Sequence, residues 1–202
     1  MRDTFDVWPA LPPLINGNLP SSSSVKNIIV ALGHNNRVRE VVLGEIAGSQ
    51  LEKVLVAMQM PFPEVTHLCL EASTDGQTLP AVPDSFLGGS APCLRYFSLD
   101  GIPFPGLSKF LLSATHLVDL HLHIPRSGYI SPEAMVTCLS TLTSLDDFTL
   151  RFQSLRSHPD SETRQSQLAT CSALPALRSF QFEGSSGYLE CLVARYTLVQ
   201  IV

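Results

Sequence analysis

Six histidines and five cysteines are the residues of this chain best suited to metal or nucleophilic chemistry. Their spacing decides what they can do. His121 and His123 alternate within a strand-like segment, so both imidazoles face one side of it. His67 and Cys69 repeat that spacing two strands away. Two strand spacings are about 10 Å, too far for one zinc ion with bonds of about 2.0–2.3 Å. His121 and His123 alone make at most a weak site, so no metal is expected. Gly184-Ser185-Ser186-Gly187 lacks the G-x-S-x-G spacing of a nucleophile elbow and reads as a turn from a strand into a helix. No glycine-rich phosphate loop is present. Cys69, Cys93, Cys138, Cys171 and Cys191 are scattered and odd in number, without a C-x-x-C pair. That usage fits a reduced, intracellular protein. Cys138 and Cys191 fall on apolar helical faces and read as core fillers. No base, nucleophile and orienting group can be assembled. The expectation is a protein without catalytic residues or cofactor, not an enzyme.

The elements that carry these residues repeat. The hexapeptide apolar-x-x-apolar-x-apolar starts at Val38, Val65, Leu94, Leu117, Leu145 and Leu177, in steps of 27, 29, 23, 28 and 32 residues. These lie at or near the period of about 20–29 residues of leucine-rich repeats. Between the hexapeptides, apolar residues recur at helical spacing. The stripes are Val25, Ile28, Ile29, Leu32; Leu51, Val54, Leu55, Met58; Leu107, Phe110, Leu111, Ala114; Met135, Cys138, Leu139, Leu142; and Leu189, Leu192, Val193, Tyr196. Ser49-x-x-Glu52 reads as a capping box. Ser131-Pro132 reads as a cap followed by proline at the first helical position, and Gly33 as a helix stop. Pro63, Pro92 and Pro175 sit just before strands, where a missing N–H costs least. Only a short turn is expected around residues 85–87.

One strand and one helix cannot bury both apolar faces alone, whereas stacked neighbours can. The expected fold is α/β: a leucine-rich-repeat solenoid, a right-handed β-α superhelix with a parallel sheet on the concave face and helices on the convex face. The same alternation also fits a doubly wound sheet, but the fixed hexapeptide and near-constant period favour the solenoid. Residues 1–24 are expected to be an irregular N-terminal segment, and 25–202 a domain of about six repeats. The polar stretch 153–172 is expected to be an inserted loop. It contains His158-Pro159-Asp160, the tripeptide of J-domain co-chaperones, but without the flanking basic helices. The apolar end Leu198-Val199-Gln200-Ile201-Val202 suggests a stack that needs a neighbour, and poor solubility of 1–202 in isolation.

Net charge is −5 and only 15% of residues are charged. Phosphate backbones select basic faces, so no nucleic acid is expected. No apolar run reaches 18 residues, so no membrane span is expected, and no signal peptide is apparent.

Several segments resemble fungal F-box-like proteins with leucine-rich repeats: Trp8-Pro9-Ala10-Leu11-Pro12, Gln50-Leu51-Glu52-Lys53-Val54-Leu55, the run from Pro83 to Pro92, Ser113-Ala114-Thr115-His116-Leu117-Val118, and the run from Ser127 to Met135. The likeness covers roughly residues 5 to 195. In that family an F-box docks on a cullin-type ubiquitin-ligase adaptor and the repeats hold the substrate. The resemblance therefore implies ubiquitin-ligase subunits as partners, through an F-box not recognisable in this chain. The alternative is a ubiquitin-independent sensor or inhibitor that binds a protein. The family's asparagine after the strand motif is replaced here by Gly44, Glu71, Asp100, His123, Arg151 and Glu183.

Alternation along the strands assigns a binding face. Positions 3, 5 and 7 of the units give three columns. The first is Glu40, His67, Tyr96, Asp119, Asp147 and Ser179. The second is Val42, Cys69, Ser98, His121, Thr149 and Gln181. The third is Gly44, Glu71, Asp100, His123, Arg151 and Glu183. Six carboxylates face one arginine, which points to a basic or mixed-charge protein partner. The protein-binding residues expected are Glu40, His67, Glu71, Tyr96, Asp100, Asp119, His121, His123, Asp147, Arg151 and Glu183. Tyr96 is the foremost anchor, because aromatic residues dominate hot spots.

Overall fold

Each hexapeptide starts a strand at its third residue. The computed structural model describes residues 14–18, 22–73, 79–153 and 174–194, and within it the strands are β2 (Glu40–Ile46), β3 (His67–Ala72), β4 (Tyr96–Asp100), β5 (Asp119–Ile124), β6 (Asp147–Phe152) and β7 (Ser179–Glu183). The same turn precedes five of them. The first hexapeptide residue donates its N–H to the carbonyl three residues earlier: Val65 to Phe62, Leu94 to Ala91, Leu117 to Ala114, Leu145 to Leu142 and Leu177 to Leu174. The second residue then donates to its counterpart one unit back: Thr66 to Arg39, Arg95 to Thr66, Val118 to Arg95, Asp146 to Val118 and Arg178 to Asp146, all at 2.8–2.9 Å. This ladder locks the register before pairing begins. Pro63, Pro92 and Pro175 occupy the turns, where no strand hydrogen bond is lost.

Among the described residues the sheet has seven strands, not six. Leu14–Asn18 forms β1 and pairs in parallel with β2, Leu14 opposite Glu40 and Asn18 opposite Gly44. A strand thus lies within the segment expected to be irregular, and helix α1 (Ser22–Leu32) begins before residue 25. All pairings are parallel and the strand order is β1-β2-β3-β4-β5-β6-β7. A doubly wound sheet reverses its order where its helices change faces. Here every strand is followed in space by the next in sequence, so the architecture is solenoid-like.

Among the described residues five α-helices flank the sheet: α1, α2 (Gly48–Ala57), α3 (Leu107–Leu111), α4 (Pro132–Leu139) and α5 (Ser186–Val193). Their apolar stripes and the fourth- and sixth-position strand residues form one core. Val41, Leu43, Leu68, Leu70, Phe97, Leu120 and Leu150 are all fully enclosed on that face. Between β3 and β4 there is no α-helix among the described residues, only a 3-10 turn at Phe86–Gly89. Aromatic volume replaces it. Phe86, Phe97, Phe104 and Phe110 meet with ring centroids 5.4–5.8 Å apart, in the tilted and edge-on geometries that aromatic quadrupoles favour.

Three local expectations are corrected. The capping box at Ser49 does not form: α2 is capped at Ala47, without a side-chain hydrogen bond. The chain turns early, because Glu45 adopts a left-handed φ of 53° at the β2–β3 register shift. In α5 the buried residues are Tyr188 and Leu192, while Val193 is exposed. Cys191 is exposed too, whereas Cys138 is buried as expected. The aromatic cluster of Phe152, Phe182 and Tyr188 explains the rotation: Tyr188 meets Phe152 at 4.8 Å and Phe182 at 5.9 Å. Residues 154–172 of the polar stretch, with His158-Pro159-Asp160, lie outside the described residues, as do Tyr196 and Cys171.

Candidate functional site: the uncovered sheet face

Parallel sheets are normally covered on both faces. Among the described residues the helices pack against one face of this sheet only. The residues pointing the other way are half-buried or exposed, Thr149 excepted at 8%.

Register assembles the expected columns side by side. Glu40, His67, Tyr96, Asp119, Asp147 and Ser179 are successive Cα partners across β2–β7. Val42, Cys69, Ser98, His121, Thr149 and Gln181 form the next row in the same way. Glu71, Asp100, His123, Arg151 and Glu183 form the third. Gly44 adjoins this row across the bulge: a Cβ there would lie 3.5 Å from Glu71 Oε2 and only 2.9 Å from Asn18 Oδ1.

The third row is internally paired. His123 Nδ1 lies 2.7 Å from Asp100 Oδ1; since a carboxylate only accepts, the imidazole N–H donates. Arg151 Nε lies 3.8 Å from Glu183 Oε2, a solvated contact worth at most about 1 kcal/mol. This edge is therefore largely satisfied among its own residues.

The centre differs. The imidazole of His67 stacks on the ring of Tyr96, centroids 4.1 Å apart and planes 2° from parallel. His121 approaches the same tyrosine at 5.4 Å, tilted by 39°. Burial pushes the Tyr96 phenol above its ordinary value near 10. Cys69, Asp119 and Asp147 raise it further, and the Ser98 hydroxyl partly offsets them. The Cys69 thiol is raised as well, first by burial and less by Glu71 and Asp100, against a lowering hydrogen bond to Ser98. Neither group ionises readily at neutral pH, so Tyr96 and Cys69 are uncharged at the centre of a face bordered by carboxylates.

Among the described residues Asp119 has no ion-pair partner, and Asp147 has only His121, Nδ1 to Oδ1 4.0 Å. That oxygen of Asp147 is enclosed and accepts no hydrogen bond. No group of three or more His, Cys, Asp or Glu close enough to hold a metal ion occurs among the described residues. His121 and His123 share a face, but His123 is engaged by Asp100.

Sequence reading missed the extension of this face onto β1, where Leu14, Asn16 and Asn18 continue the three rows. The period alone would have found it. Pro12 precedes Val38 by 26 residues, and Ile15 occupies the buried fourth position. Proline at position 1 and Gly17 at position 6 disguise the pattern.

No helix among the described residues is long and apolar enough to cross a membrane. The fold and face define an α/β solenoid-like scaffold with one polar sheet face left open by the described residues. Comparison with protein families, with curated proteins and with solved structures found no match for the chain.

Proposed function

We propose that this chain is a leucine-rich-repeat protein-binding module, not an enzyme, and that its open sheet face holds the partner. The observation that carries the reading is a parallel-sheet face that no described element covers. Across the seven described strands it presents ordered side chains in fixed rows at strand spacing, an extended recognition surface that rigid β-strands hold in place. The recurring hexapeptide, with the same turn before strand after strand, supports the leucine-rich-repeat assignment. The resemblance in sequence to fungal F-box-like proteins adds a narrower reading: the repeats present substrates to a ubiquitin ligase.

The test is co-purification of the endogenous gene product from its native cells, comparing wild type with Tyr96→Ala and with Glu52→Lys on the helix side. A partner lost with Tyr96→Ala and kept with Glu52→Lys supports a binding face on the sheet. The reverse pattern overturns it. Recovery of a cullin-type ligase adaptor supports the F-box reading, and a specific partner without any ligase subunit favours a sensor or inhibitor.

A further inference from the structure

We draw no further inference here: the strongest candidate, the apolar cleft between α4 and α5 over β6 and β7, lined by Leu139, Phe148, Leu174, Leu177, Phe180 and Leu192 among others, carries nothing, because nothing in the structure shows what covers it.

Discussion

The His67 imidazole lies flat on the Tyr96 ring, 4.1 Å between centroids, because the two residues are Cα partners on β3 and β4. Strand pairing brings their Cβ atoms close without any long-range fit. The stack then limits the rotamers of a half-exposed tyrosine before any partner arrives. An anchor fixed in advance loses less side-chain entropy on binding. Cross-strand aromatic pairs contribute about 0.2–1 kcal/mol. A double-mutant cycle of His67→Ala and Tyr96→Ala, followed by urea denaturation, should therefore give a coupling of about 0.5–1 kcal/mol. Additive single effects would mean that the two rings do not stack in solution.

The cysteines should separate by reactivity. Cys138 is buried, donates from Sγ to the Ser108 carbonyl at 3.2 Å, and burial pushes its thiol up to about 11. Cys93 and Cys191 are exposed. With iodoacetamide near neutral pH, Cys93 and Cys191 should be modified well before Cys69, and Cys138 only on unfolding. The same shift has a pH signature. The folded chain keeps the Cys138 proton when the unfolded chain has lost it, so the unfolded state binds fewer protons above about pH 9. Stability then falls with rising pH between about 9 and about 11. Cys138→Ala should flatten that part of a stability–pH curve measured in urea. Rapid alkylation of Cys138 in the native protein would contradict its placement.

The turn that replaces a helix before β4 depends on one glycine. Gly88 has φ of 71°, and a Cβ built there would meet Pro61 Cγ at 2.8 Å and Pro61 Cα at 3.0 Å. Leu87, just before it, is also left-handed at φ 51° yet completely buried. Its N–H donates to the Met58 carbonyl at 2.7 Å, tying this turn to the end of α2. A left-handed β-carbon costs about 1–2 kcal/mol before any clash. Gly88→Ala is expected to destabilise by about 2–3 kcal/mol in urea denaturation. Gly89→Ala, with φ 80° but nothing nearer than 3.5 Å, should cost less. Equal costs for the two would show that contact with Pro61 is unimportant.

Strand positions and facing were readable because a strand has a period of two and the hexapeptide marks it. A one-residue slip would have turned Phe97 and Leu120 outward and Tyr96 and Asp119 inward. The hidden first strand escaped because Pro12 and Gly17 stand where apolar residues mark the other units. Helix α5 escaped in part because its orientation is set from outside, by Phe152 and Phe182 on β6 and β7, which draw Tyr188 inward and leave Cys191 exposed. For the candidate site, the rows were readable but the pairing within them was not. Nothing in the spacing distinguishes Asp100, held by His123 at 2.7 Å, from Asp119. Rotamers and neighbours one strand away decide that.

Two serines test how local signals yield to the chain around them. Ser131 caps α4: its Oγ accepts from the Ala134 N–H at 3.2 Å, and Pro132 follows at the start of the helix. Ser49 has a capping-box spacing to Glu52, which Ser131 lacks, but sits inside α2, behind an N-cap at Ala47 whose carbonyl already accepts from Gln50 and Leu51, both at 2.9 Å. Its hydroxyl is past the free N–H groups it would need to reach. Losing a true serine cap costs about 0.5–2 kcal/mol, whereas losing an exposed serine in the first turn costs little, since alanine is the better helix former. Ser131→Ala should lower stability by about 1 kcal/mol. Ser49→Ala should leave it unchanged within about 0.5 kcal/mol, or raise it slightly. Measured by urea denaturation of the two single variants, a loss at Ser49 as large as that at Ser131 would restore the capping box and move the start of α2 by two residues.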